Sequence, residues 1–167
     1  MKKIKNNKGF SLFEATATLL IISLLTISIT IAVRASTSIY RKSVFISEGD
    51  ILAATIDVVL SDVLRFASDV NEEDGVIQFT NANYSINNGH LFVNGGWLHV
   101  NLTNEKSDDE EDAPVVVLLN GGMYTTIEIE SFSLNYIDGV FSGNYVIQSK
   151  SDHNLKKSYE FYFRTLN

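Results

Sequence analysis

The chain contains no cysteine, so neither a disulfide nor a thiolate metal site can brace it, and any folded part must be held by its apolar core. Its only proline, Pro114, lies far from the long apolar run near the N-terminus, so no proline breaks that run. Cations are scarce, with 13 Lys and Arg against 20 Asp and Glu for a net charge of −7. Four of those cations, Lys2, Lys3, Lys5 and Lys8, precede Gly9; without them nine cations face twenty acids, a net charge of −11. An acidic surface of that kind gives no footing for nucleic acid, and no nucleic-acid contact is expected. The sequence also lacks a nucleophile elbow, a phosphate-binding glycine loop and any carboxylate pair distinguishable from ordinary surface residues. No catalytic residue, metal or cofactor is expected, and the chain does not read as an enzyme.

What the sequence does have is the stretch Gly9 to Val33, GFSLFEATATLLIISLLTISITIAV. From Phe10 onward it is apolar or hydroxylated and carries one charge, Glu14. As a helix, residues 10–33 would reach roughly 36 Å, enough for a hydrocarbon core of about 30 Å. A carboxylate in such a span costs a few kcal/mol, so it needs a partner or a task. Lys8 lies beyond a glycine and Arg34 at the far end, so neither can reach Glu14 within the helix. Cleavage after Gly9 would supply a partner, because the new amine of Phe10 on one chain could meet Glu14 on another.

Lys8-Gly9-Phe10-Ser11-Leu12-Phe13-Glu14 resembles the processing site of type IV prepilins and type II secretion pseudopilins. The shared features are a short basic leader, a glycine, an aromatic residue, a hydroxyl, a leucine, and a glutamate at fixed offset opening a membrane span. The resemblance implies that a membrane aspartyl protease, the prepilin peptidase, cuts between Gly9 and Phe10 on the cytoplasmic face and methylates the amine of Phe10. It implies that Glu14 assists assembly of a helical filament with other pilin-like subunits. The family's capping subunit can lack this glutamate, so its presence points to a place within the stack. The acidic, cysteine-free domain favours a minor subunit of a type IV pilus, competence pilus or secretion pseudopilus.

A second reading is an uncleaved, single-span anchor carrying an extracytoplasmic binding or sensory domain. A secretory signal peptide fits less well, since its apolar region is only about 7 to 15 residues long. Ala32 to Ala35 offers small residues for such a cut, but Arg34 intrudes. Four leader lysines favour a cytoplasmic N-terminus, opposed by Arg34, Arg41 and Lys42 beyond the span. With the resemblance, the expectation is a single-pass protein of the cytoplasmic membrane with leader inside and domain outside, extracytoplasmic when assembled.

The expected organisation is a leader over 1–9, a transmembrane helix over 10–33, its amphipathic continuation over 34–70, and a β domain over 71–167. Thr16, Ser23 and Thr30, with Thr26 beside them, form a small-residue stripe of the kind that lets membrane helices pack closely. Phe45, Leu52, Ile56, Val59, Val63 and Phe66 follow helical spacing and predict a core-facing stripe, with the helix running to about Ser68 and Gly49 as a candidate bend. Beyond Gly75 the pattern predicts strands near 76–80, 83–87, 90–93, 97–102, 115–120, 124–136, 144–149 and 157–165, the long ones open to bulges. Asn88-Gly89, Asn94-Gly95, Gly121-Gly122 and Asp138-Gly139 read as the turns between them. The fold class is α+β, a long N-terminal helix packed on an antiparallel β domain, which is also what the resemblance implies.

A two-residue turn at Asn94-Gly95 would place His90 opposite His99, as cross-strand surface histidines too few for a closed metal site. His153 suggests a polar loop. The run Asp108-Asp109-Glu110-Glu111-Asp112 lacks the alternating oxygen ligands of a calcium loop and reads as a solvated, self-repelling segment.

Overall fold

A computed structural model describes residues 11–102, 115–119 and 124–166. Among the described residues one α-helix, α1 (Leu12–Arg65), is followed by eight strands: β1 (Ser68–Glu73), β2 (Val76–Asn81), β3 (Ile86–Asn94), β4 (Trp97–Asn101), β5 (Val115–Val117), β6 (Ile127–Ile137), β7 (Val140–Ser149) and β8 (Lys156–Arg164). The expected α+β class is what the chain adopts, with every strand pair antiparallel. The strands form one sheet in the order β1-β2-β3-β4-β5 and a second in the order β6-β7-β8. The chain divides into two units, residues 1–43 and 44–167.

In the first unit every described residue of α1 is exposed except Ala15, which is half-buried. It is long and apolar enough to cross a membrane, and none of its most apolar window is buried.

In the second unit the helix turns one face to the sheets. Leu52, Ile56, Leu60, Val63 and Leu64 are fully buried, and Phe45, Gly49 and Ala53 nearly so. The predicted stripe is therefore the core stripe, except that Val59 is only half-buried and that two further differences appear. Phe66 is 46% exposed because the helix has already ended at Arg65, and Leu60 and Leu64 fill the positions between the named ones. The helix continues through Gly49, which lies against the Tyr159 hydroxyl.

The end of α1 lacks the glycine that usually stops a helix. Its last carbonyls find partners from elsewhere: Leu64 O accepts from Ala67 N–H at 3.2 Å, and Arg65 O from Leu166 N–H at 2.8 Å. Val63 O accepts from the side-chain amide of the buried Asn81 at 2.7 Å, while Asn81 Oδ1 accepts from Asn83 N–H at 2.9 Å. With these groups satisfied the chain can turn directly into β1, a strand the sequence pattern did not predict.

Three hairpins close on two residues of positive φ: Asp74-Gly75, Gly95-Gly96 and Asp138-Gly139. The β3–β4 turn therefore lies one residue later than Asn94-Gly95. A turn of this kind needs positive φ at both central positions, and Gly95-Gly96 supplies both without a side chain. Asn88-Gly89 is not a turn; it lies inside β3, where a register shift occurs against β2 between Phe79 and Asn81. A side chain at Gly89 would collide with the carbonyl oxygen of Asn101, 1.9 Å from an added Cβ, so glycine there serves close strand approach. The predicted strands 83–87 and 90–93 are consequently one strand preceded by a 3-10 turn, Ala82–Tyr84. In β6 a register shift between Ile129 and Ser131 moves the inward face from Ile127 and Ile129 to Phe132, Leu134 and Tyr136.

Polar contacts fasten the second sheet to the helix. Tyr145, fully buried, donates to Ala53 O and Asp57 Oδ1, each at 3.2 Å, and burial pushes its phenol far above the usual range. Asp50 Oδ1 accepts from Lys157 Nζ at 2.6 Å and from Tyr159 OH at 2.8 Å. Those two hydrogen bonds, Lys157 first, hold the Asp50 carboxyl below its ordinary pKa of 3.8. Thr126 bonds Glu48 in the same region.

Asn81→Ala would strand the buried Val63 carbonyl, a loss of about 1–3 kcal/mol. Urea unfolding of the full chain in mild detergent, followed by circular dichroism, should show a lower midpoint.

Because the Asp50 pKa is lower folded than unfolded, its contribution is present above about pH 3.8 and is lost as pH falls through the folded value. Asp50→Asn should flatten the acid limb of a stability-versus-pH curve while leaving the fold intact. A variant with an unchanged acid limb would remove Asp50 from the linkage.

Candidate functional site

Gly9 and Phe10, the expected cleavage pair and methylation position, lie outside the described residues. Glu14 lies in the first turn of α1. Ser11 N–H donates to Glu14 Oε2 at 3.0 Å, and Glu14 N–H donates to Ser11 Oγ at 3.2 Å. This reciprocal pair is a capping box: Ser11 and Glu14, three residues apart, each satisfy a backbone donor that the helix start would leave open. The acid also sits at the positive end of the helix dipole, where negative charge is favourable. The carboxylate expected to assist assembly thus has a second task, organising the first turn of its own helix. The Ser-x-x-Glu spacing carries that signal in the sequence, beside the reading of Glu14 as a charge in need of a partner from another chain.

Along the apolar run the hydroxyls turn back onto their own helix. Thr18, Ser23, Thr26, Ser28, Thr30 and Thr37 each donate to the carbonyl four residues earlier, at 2.7 to 2.9 Å, and Thr16 to Phe13 O at 2.9 Å. Every one of these donors is satisfied without a second helix. The expected stripe of Thr16, Ser23, Thr26 and Thr30 remains small in profile, but its hydroxyl protons are already engaged. Close approach of another helix would therefore rest on shape and dispersion.

The histidines stand apart from this region. The shifted β3–β4 turn pairs His99 with Phe92 and Trp97 with Asn94, so His90 and His99 are not opposite each other. Phe92 lies between them in space, its ring 5.6 Å from that of His90 and 5.5 Å from that of His99. His90 instead pairs with Gln78 of β2, and burial lowers its pKa from the ordinary 6.5. His99 Nδ1 contacts Trp97 O at 2.9 Å. His153 is exposed beyond β7. Among the described residues no three His, Cys, Asp or Glu side chains come together as a metal-binding group. The acidic run Asp108 to Asp112 and the Gly121-Gly122 turn lie outside the described residues.

Compared with known protein families, characterised proteins and solved structures, the chain matches none.

The capping box predicts a split between two substitutions. Glu14→Gln keeps an oxygen for Ser11 N–H, whereas Glu14→Ala and Ser11→Ala each remove one arm, at about 0.5–2 kcal/mol for the cap. Amide exchange of Phe13 to Thr16 in detergent should quicken in the two alanine variants and stay near wild type in Glu14→Gln.

Proposed function

We propose that the chain is a pilin-like structural subunit, cut by a prepilin peptidase between Gly9 and Phe10, methylated at Phe10, and built through α1 into a type IV pilus, competence pilus or secretion pseudopilus. The supporting sequence is the basic leader with Gly9, Phe10 and Glu14 at the head of the span. The observation that carries the reading is the continuity of α1. One helix of 54 residues begins at the Ser11–Glu14 cap, runs through an exposed apolar segment, and ends as the buried core helix of a β unit. A simple anchor needs only the apolar part. A helix that supplies both the apolar segment and the core stripe connects the β unit to the span without an intervening loop, which suits a subunit whose helices bundle at the centre of a filament.

In that assembly the Phe10 amine of one subunit would meet Glu14 of another shifted along the filament axis. The surroundings there are apolar helices, and removing one partner of a buried charge pair typically costs 3–5 kcal/mol. Pairing between chains requires Glu14 to exchange its Ser11 N–H for an amine, or to bind both through its two oxygens. The partners on this reading are the peptidase, other pilin-like subunits and the membrane, with the leader in the cytoplasm and the β unit outside.

Mass spectrometry of the mature N-terminus tests the cleavage: methylated Phe10 supports it, and an intact Met1 would return the chain to an uncleaved anchor. Gly9→Val should leave the leader attached, because the protease must approach the backbone where glycine has no side chain. In sheared filaments both Glu14→Ala and Glu14→Gln should be depleted if the charge matters. Recovery of Glu14→Gln alone would assign the role of Glu14 to the cap.

A further inference from the structure

Charge is segregated along this chain, and the segregation singles out one stretch of α1. The four leader lysines with Arg34, Arg41 and Lys42 account for seven of the thirteen cations, and Glu14 for one of the twenty acids. Residues 44–167 thus hold six cations against nineteen acids, a net charge of −13, while residues 34–42 hold three cations and no acid. Arg34, Arg41 and Lys42 are all exposed, and none makes an ion pair among the described residues. Arg34 and Arg41 are seven residues apart, which puts them on one helix face about 10 Å apart along the axis.

Their height relative to a bilayer follows from helix geometry. Leu12 to Val33 spans roughly 33 Å, against about 30 Å of hydrocarbon, so Arg34 falls at the boundary of the apolar layer. Arg41 and Lys42 lie about 10–12 Å further out, with stems long enough to reach back toward the phosphates. Ile39 and Tyr40 stand between Arg34 and Arg41, 68% and 69% exposed, and a tyrosine at this level suits the interfacial aromatic belt.

We propose that Arg34, Arg41 and Lys42 form a cationic collar that binds the phosphate headgroups of anionic phospholipids in the leaflet facing the β unit. The proposal rests on reading α1 as a membrane span. Orientation alone does not explain the collar. Once the leader is removed, the only basic side chains near the span lie on the domain side, the reverse of what the positive-inside rule favours. A second copy of the chain is a poorer occupant. Copies in one bilayer present their collars at the same height, like charge facing like, whereas the phosphate layer is the anionic surface at that height. Attraction to such a layer amounts to roughly fivefold in affinity per cation and weakens as salt rises.

The test places the full chain, with Lys2, Lys3, Lys5 and Lys8 changed to Gln in every sample, wild-type collar included, so that the leader holds no lipid, in nanodiscs of equal parts phosphatidylglycerol and phosphatidylcholine, then counts by native mass spectrometry the lipids retained after mild detergent extraction. Wild type should retain phosphatidylglycerol in preference. Single changes Arg34→Gln, Arg41→Gln and Lys42→Gln should each lower the preference by up to about fivefold, and the triple variant should lose it, while Arg41→Lys keeps it. Equal retention of both lipids by wild type, or an undiminished preference in the triple variant, overturns the proposal. Displacement of phosphatidylglycerol by excess inorganic phosphate would show a soluble-anion site and overturn the lipid assignment. Loss of self-association in the triple variant, with lipid preference intact, would give the collar to a second copy. Carbonate extraction separates these outcomes from failure of the span: a released chain has no span, whereas an embedded chain without lipid preference lacks only the collar function.

Discussion

The burial of Leu52, Ile56, Leu60, Val63 and Leu64 is the constraint on which the rest of the β unit depends. Fully burying a side chain of this kind is worth about 1.5–3 kcal/mol, and five of them lie on one helix face. With no cysteine in the chain, no covalent link can substitute for that contact. Both sheets contribute to the same core: Ile77, Phe79, Leu91 and Leu98 from the first, Ile127, Phe141, Tyr145 and Phe161 from the second. Helix and strands therefore stabilise each other, and neither has an apolar face that could remain stable in water alone.

The buried stripe sets which face of the helix turns inward, and polar contacts fix its position along the sheets. Asn81 binds Val63 O, Tyr145 binds Ala53 O and Asp57, and Asp50 collects Lys157 and Tyr159. These contacts are spread between Asp50 and Val63, a stretch of between three and four turns of α1, and a shift of one residue would break them together. The first two involve buried groups, where a lost partner costs more than the bond itself contributes. The Asp50 pair is exposed to solvent and adds position more than energy.

At the other end of α1 the carboxylate of Glu14 meets one demand within its chain and, on the proposed function, would meet a second in an assembly. Within its chain it closes a capping box with Ser11, and in an assembly it would be the anion available to an amine. The two demands are compatible because a carboxylate has two oxygens and more lone pairs than a single N–H occupies. Hydroxyls along the apolar run solve a simpler problem in the same local way, by donating to their own backbone. The exposed segment thus presents few unsatisfied side-chain hydroxyls, as an apolar surrounding would require.

The sequence by itself determined the helix, its exposed apolar part, the core stripe beyond it and the antiparallel β region, because periodicity and hydropathy are local properties. It also contained the Ser11–Glu14 signal, which is local too. Only tertiary structure decided where the helix stops, since Arg65, Val63 and Leu64 have their carbonyls satisfied by partners as distant as Leu166 and Asn81. That choice freed Ser68 to Glu73 to become β1, although the polar composition of this segment shows no strand alternation. Register was decided there as well. Asn88-Gly89 and Asn94-Gly95 look alike as dipeptides, yet Gly89 is required for close approach to Asn101 and the turn falls on Gly95-Gly96. The pairing of His99 with Phe92 follows from that one-residue difference in turn position: Asn94-Gly95 and Gly95-Gly96 are both turn dipeptides, and the pairing of the strands decides between them.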